Sequence, residues 1–436
     1  MQTATPFDTA ALPSLAQVHF AMALMLLFSI AIVLSLAVKF WLASRQTRHV
    51  ARHRDTVPAP FAGRITTEAH RKAADYTIAK SRLGMLEMAV GTVVLVGWTM
   101  FGGLDALNRA VMDLTGPGMV QQLALVAAFV LIGAAFDLPF SIYRTFVLEQ
   151  RFGFNRTTAK LWLADLAKAT VLGAAIGLPI LALVLWIMGA AGRFWWVWAW
   201  AAWMGINLLL LVIYPTLIAP IFNKFKPLDD ETLKARATAL MQRCGFAAKG
   251  FFVMDGSRRS AHANAYFTGF GAAKRVVFYD TLLERLDADE VDAVLAHELG
   301  HFHHKHIPKR VLTMAVMALA GFALLGWFSA APWFYLGLGV TPNLVGANDA
   351  LALLLFMLVL PPFSFFLSPV SAGMSRRDEF QADAYAVART GRAALPQALL
   401  KLYEDNAATL TPDPLFVRFY YSHPPASERL ARMAGA

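Results

Sequence analysis

The chain has 436 residues, of which 57% are hydrophobic and only 16% charged, and its mean hydropathy is +0.50. A soluble protein of this length carries more charge, so these values exclude an ordinary water-soluble enzyme and point to an integral membrane protein. The formal charge of +10 comes with no basic helix or recognition module, which argues against nucleic acid as a partner, and a single cysteine, Cys244, excludes an internal disulfide or a cysteine-based zinc site.

Seven apolar runs are long enough to cross a bilayer: Val18–Ala43, Leu83–Leu107, Met119–Ile142, Leu166–Ala190, Phe194–Phe222, Val311–Gly339 and Ala350–Ala372. The start, Met1–Gln17, holds no Lys or Arg, and the run after it is longer than the apolar region of a signal peptide, so a retained first span is expected. Basic residues then alternate by loop. The segment from Arg45 to Arg82 is dense in them, the next connection offers only Arg109, and Arg144, Arg151, Arg156 and Lys160 follow. Then come Arg193 alone, the basic segment Lys224–Arg310, none in Ser329–Asp349, and a basic tail after Arg376. By the positive-inside rule the N-terminus is outside or lumenal, and the C-terminus and large polar segments are cytoplasmic. The net charge is then mostly a topogenic bias, with some attraction to anionic lipid. The tryptophans at 195, 196, 198, 200 and 203 read as an interfacial belt. Glu87 and Asp137, rare acids within spans, are expected to bond inside the bundle or face a wet chamber.

The predicted organisation is spans one to five over 1–222, a polar segment at 223–310, spans six and seven over 311–372, and a polar tail at 373–436. Within the first polar segment, Asp229-Asp230-Glu231 starts a helix running to about Cys244. Gly250–Asp255 and Arg275–Tyr279 are β-rich and bracket Ala265–Phe270, which predicts a small antiparallel sheet. Asp287 to Glu290 cap the next helix. The expected fold class is therefore a membrane all-α bundle with a small α+β domain on its cytoplasmic side.

That last helix carries His297-Glu298-Leu299-Gly300-His301, an H-E-x-x-H signature. Residues four apart share a helix face, so both imidazoles can reach one metal ion, and Glu298 is placed to act as base on the water the metal activates. A zinc hydrolase needs a third protein ligand and an open position. The metzincin extension would put Gly at 304 and His at 307, but the chain has His304 and Ile307. A downstream Glu on another helix is the remaining option. Glu379, in Asp378-Glu379-Phe380-Gln381-Ala382-Asp383, is the best-placed candidate, and Asp383, one turn on, can bond the outer nitrogen of a ligand His. The plain alternative is a solvated helix face beside Arg376 and Arg377. Asp378 would point about 100° from Glu379. His303, His304 and His306 suggest a larger metal cluster, but four-coordinate zinc has no need of them, and polar residues at the mouth of a span cost little.

With these residues assembled, the chain resembles the CAAX prenyl protease type 1 family of integral-membrane zinc metallopeptidases. The likeness runs through Glu149-Gln150-Arg151-Phe152-Gly153-Phe154-Asn155, Ile218–Phe225, His262-Ala263-Asn264-Ala265-Tyr266-Phe267, the HELGH and EFQAD motifs, Ser422-His423-Pro424-Pro425 and Glu428-Arg429-Leu430. The resemblance implies one zinc ion held by His297, His301 and Glu379, with Glu298 as the base and Asp383 orienting a ligand. It implies that Asn264, Ala265 and Tyr266 bind substrate as an added β-strand, and that His423 and Arg429 lie near the scissile carbonyl, where they can stabilise an oxyanion. Seven helices would enclose a water-filled chamber, and the substrate would be a C-terminal CAAX-type peptide, prenylated or not. Asp378, Ala426 and Ser427 depart from the residues usual at their positions, which bears on substrate preference. A heat-shock-type quality-control zinc protease is the nearest rival, but such proteins have fewer spans. A channel or transporter with a structural zinc is a rival from another class, and no pair of broken, charged midspan helices supports it.

Overall fold

A computed structural model describes residues 14–246, 250–268 and 275–435. Most of the stretch Met1–Gln17 and the end of the predicted β run, Gly269-Phe270, lie outside them. Among the described residues seven helical stretches are long and apolar enough to cross a membrane: Leu15–Arg52, Thr67–Trp98, Met119–Glu149, Ala159–Ala190, Gly192–Phe222, His306–Ser329 and Asp349–Thr390. The first starts at a capping box in which Ser14 and Gln17 bond each other's backbone amides. Its 38 residues extend about 57 Å, well beyond a hydrocarbon core of about 30 Å, so its basic end projects past the membrane.

Several expected boundaries move: the sixth span ends at Ser329, with a short separate helix, Pro332–Leu336, after it, and the second and seventh change as well. The second span stops at Trp98, and residues Gly103–Thr115 form a separate helix that begins after Gly102 in the left-handed region (φ 70°). The reason is amphipathicity: Leu104 and Val111 are buried, and buried Asp105 accepts from the amide of Thr341. The seventh span continues, through a short 3-10 turn at Phe365–Leu367, into the helix Ser368–Thr390. That continuation carries the EFQAD motif out of the apolar region.

The apolar packing is concentrated at the two ends of the bundle. One cluster gathers Phe28, Leu125, Leu185, Phe334, Leu351 and Leu355, and another, in the polar domain, gathers Leu240, Phe278, Leu295, Leu299 and Leu395. A cavity of about 570 Å³ is lined by Glu87, Asp137 and Arg144 among apolar residues, and Glu87 pairs with Arg144 at 2.5 Å. The fold is the expected helical membrane bundle around a chamber, with a small sheet domain.

The sheet is not wholly antiparallel. It has four strands, β1 (Phe225–Pro227), β2 (Gly250–Met254), β3 (Ala265–Thr268) and β4 (Arg275–Tyr279), in the order β1-β2-β4-β3. β3 and β4 pair antiparallel as expected, but β4 then lies parallel to β2. Val276, Val277 and Phe278 are buried, which explains why β4 takes the interior place and leaves β3 at the edge.

Candidate metal centre and active site

The HELGH helix, Ala288–His303, starts at a capping box between Asp287 and Glu290. The Glu290 carboxylate is buried and also takes the Lys401 ammonium at 2.6 Å, which ties the helix to the following domain helix Ala394–Asp405. Its middle, from Val291 to Ala296, is buried almost throughout. Against it lies the EFQAD helix, and the two backbones come close at Gly300, where an added Cβ would sit 2.9 Å from the Cα of Ala382. This contact sets the separation of the two helices.

Across it three side chains converge. The Nε2 atoms of His297 and His301 lie 3.3 Å apart, and the Glu379 carboxylate meets both, with Oε2 3.4 Å from that of His297 and Oε1 3.4 Å from that of His301. Four-coordinate zinc with bonds of about 2.0–2.1 Å puts neighbouring ligand atoms about 3.3 Å apart. Glu379 is buried, and its Oε2 has no hydrogen-bond partner. A buried carboxylate oxygen costs free energy unless something positive meets it. Two imidazole nitrogens and this carboxylate, with contacts close to tetrahedral ligand spacing, therefore fit a zinc ion with a position left open. Among the described residues these three form the one group of this kind; Asp378, His303 and His304 stand outside it. His303 instead stacks on Tyr385, 4.7 Å between centroids.

Behind His297, Asp383 holds an oxygen 3.0 Å from Nδ1. Arg429 in turn grips Asp383 with Nε at 2.8 Å and Nη2 at 2.5 Å, both residues being buried. Arg429 thus reaches the centre through Asp383. His423 is exposed, with its Nε2 3.5 Å from Glu379. Its loop is held by Arg376, three residues before Glu379 on the same helix. One of that guanidinium's nitrogens donates to the carbonyls of Val417 and Tyr421, at 2.9 and 2.8 Å. A cavity of about 820 Å³, walled by Met88, Phe416, Tyr420, Tyr421 and Pro424, leads from His423 to Lys80 and Glu87 on the second span.

Asn264 directly precedes β3, whose residues Ala265 and Tyr266 lie at the sheet edge. The strand runs beside the HELGH helix, with Phe267 edge-on to Phe302 at 5.5 Å. Its approach is held by a network that the sequence reading did not assign. Asn406 accepts from the Ala263 amide at 3.1 Å and meets His262 Nδ1 at the same distance. His262 stacks on Phe154, and Glu149, 3.7 Å from its Nε2, accepts from Tyr76 at 2.6 Å. Glu149, Phe154 and His262 all belong to quoted motifs, but Asn406 and Tyr76 carry no local signal.

Burial alone would lower the His297 pKa, but the carboxylates of Asp383 and Glu379 outweigh it and raise it to about 9. Burial, with the neighbouring His297, lowers that of His301 to about 4. Burial pushes the Glu298 carboxyl above its usual range, as suits a group that must take up and return a proton.

His306 stands at the mouth of the sixth span as expected, but it is buried there, with Nδ1 2.9 Å from Nδ1 of His301.

The chain is similar to known proteins over most of its length. Residues 46–224 match a family model described as the CAAX prenyl protease N-terminal region with five membrane helices, and residues 227–436 match peptidase family M48. The CAAX prenyl protease 1 homolog of Arabidopsis thaliana is 35% identical over 399 residues, 87% of this chain and 91% of its own. CAAX prenyl protease 1 of Saccharomyces cerevisiae is 32% identical, covering 86% of this chain and 88% of its own, and the Homo sapiens homolog 31%, covering 93% and 94%. The crystal structure of S. mikatae Ste24p superposes with a TM-score of 0.88 at 30% identity, over 94% of this chain and 99% of that one.

Proposed function

The chain belongs to the CAAX prenyl protease 1 family of M48 membrane metalloproteases, and on that premise we propose that it is a zinc endopeptidase cutting C-terminal CAAX-type peptides within its chamber. The observation that carries the zinc assignment is the convergence of the His297 and His301 Nε2 atoms, 3.3 Å apart, on the buried Glu379 carboxylate, each 3.4 Å from one of its oxygens. Zinc bound there would serve as a Lewis acid, polarising the scissile carbonyl and making water a nucleophile near neutral pH.

The residues around it divide the remaining work. Glu298 takes a proton from the attacking water and hands it to the leaving amine. His423 donates a hydrogen bond to the oxyanion that develops at the carbonyl, which its position 3.5 Å from Glu379 supports. Arg429 acts by holding Asp383, and Asp383 by holding the His297 ring, while the guanidinium adds positive charge near the developing anion. The substrate pairs with the exposed edge of β3 through Asn264, Ala265 and Tyr266, so that its backbone runs past the metal site. The largely apolar cavity beside His423 is suited to the lipid carried by the cysteine of such a peptide. The partners are then a peptide or protein substrate and the bilayer, and the loop charges favour a cytoplasmic site with the N-terminus outside or lumenal.

Matched prenylated and unprenylated CAAX peptides, incubated with purified protein with and without a zinc chelator, test this reading. Cleavage of the prenylated peptide, lost with chelator and restored by zinc, is expected. Chelator-insensitive cleavage would overturn the metal assignment, and equal turnover of both peptides would overturn the lipid preference.

A further inference from the structure

In a continuous helix the residue five positions on lies about 140° round the axis, so His306 should point away from His301. It does not, because the helix breaks between them. Lys305 adopts the left-handed conformation (φ 56°, ψ 39°), which is uncommon for a residue with a side chain and persists where the surroundings hold it. The turn swings His306, the first residue of the sixth spanning helix, back onto the HELGH helix and buries it.

The ring then has a defined set of neighbours. Its Nε2 faces Gln381 Oε1 at 2.9 Å and Asp378 Oδ1 at 3.5 Å, while its Nδ1 faces Nδ1 of His301 at 2.9 Å. Asp378 is itself paired with Arg310 at 3.3 Å, as a carboxylate that can only accept. Two acceptors on the Nε2 side place the proton of the neutral ring there. Nδ1 is then an acceptor, so His301 must donate to it from its own Nδ1. A neutral His301 with its proton on Nδ1 has a bare Nε2, the atom that faces His297 and Glu379.

We propose that His306, with Gln381 and Asp378, is a positioning relay that fixes the tautomer and ring orientation of His301 for metal binding. The two ligand imidazoles are thus set by different means: a carboxylate behind His297, and a neutral ring anchored at the start of a membrane helix behind His301. Gln381, inside the EFQAD motif, gains a role distinct from those of Glu379 and Asp383. The inference rests on the reading of His297, His301 and Glu379 as a metal site.

The test is zinc affinity by chelator competition on purified full-length variants, with thermal unfolding of the zinc-free forms alongside. His306→Phe keeps a ring of similar size but no acceptor; zinc affinity is expected to fall 10- to 100-fold, the usual range for such partners, with zinc-free unfolding little changed. His306→Asn restores an acceptor oxygen and is expected to recover part of the loss. The double variant Gln381→Leu with Asp378→Leu removes both outer acceptors while leaving His301 and His306 intact, and should weaken zinc binding in the same direction by less. Unchanged affinity in His306→Phe overturns the proposal. So does a loss matched by zinc-free destabilisation and not recovered by Asn, which is packing alone. If His306→Phe does not fold, the double variant decides: unchanged affinity there overturns the relay. Failure of the unaltered protein to bind zinc would instead overturn the metal reading itself.

Discussion

A Cβ atom on Gly300 would lie 2.9 Å from the Cα of Ala382. The glycine of HELGH and the alanine of EFQAD therefore meet backbone to backbone, and this is what lets Glu379 reach two histidines on another helix. Gly300→Ala should separate the helices slightly, costing about 1–3 kcal/mol by overpacking and loosening the metal site, and Gly300→Val should do both more strongly. Thermal unfolding and zinc retention against a chelator measure the two effects. A Val variant that keeps wild-type zinc retention would mean that the close approach does not set the site.

Glu298→Gln keeps the shape of the side chain and removes its ability to take a proton. Turnover should fall by at least about 10²–10⁴-fold while one zinc per chain remains bound, since Glu298 is not among the candidate ligands. Steady-state peptide hydrolysis and metal analysis on the same preparation check this; residual activity near that of the unaltered protein would remove Glu298 from the mechanism.

How far the sequence reached follows from which contacts are local. His297 and His301 are legible because four residues make one helical turn, and Glu379 because a two-histidine site lacks a ligand. The capping box at Asp287 is likewise a local pattern, and it is found as read. The sheet order was not legible. β1 is a three-residue strand containing Pro227, and the parallel pairing of β2 with β4 depends on which strand buries its valines. The contact of His306 with His301 was not legible for a related reason: helical periodicity turns the two apart, and a lysine in the left-handed region leaves no mark in the sequence. The network of Asn406 and Tyr76 beneath β3 joins residues far apart in the chain, beyond any spacing rule.

The pair between Arg429 and Asp383 is buried and bidentate, so removing one partner strands a charge. Arg429→Met should cost about 3–5 kcal/mol, and pairing it with Asp383→Leu should recover much of that stability while leaving His297 without its orienting carboxylate. Arg429→Lys should fall between, because an ammonium cannot reproduce the two-pronged grip. Unfolding in detergent and zinc affinity should therefore separate: the double variant is more stable than Arg429→Met but binds zinc poorly. Stability and zinc affinity moving together across the series would argue against it.

Zinc binding should also be linked to protons with a definite sign. In the metal-free site His297 titrates at about 9, raised by Asp383 and Glu379 against burial, so near pH 7 it carries a proton that zinc must displace. His301, at about 4, is already bare and releases none. Apparent zinc affinity should therefore rise about tenfold per pH unit from pH 7 and level off near pH 9. Asp383→Asn removes the carboxylate that raises it most, so its plateau should begin at lower pH, with a weaker limiting affinity from the poorly oriented ring. Chelator competition across that range, corrected for the chelator's own protonation, reads the slope directly. A flat profile in the unaltered protein would mean that His297 is already deprotonated in the free site, and that its carboxylate neighbours do not hold a proton on it.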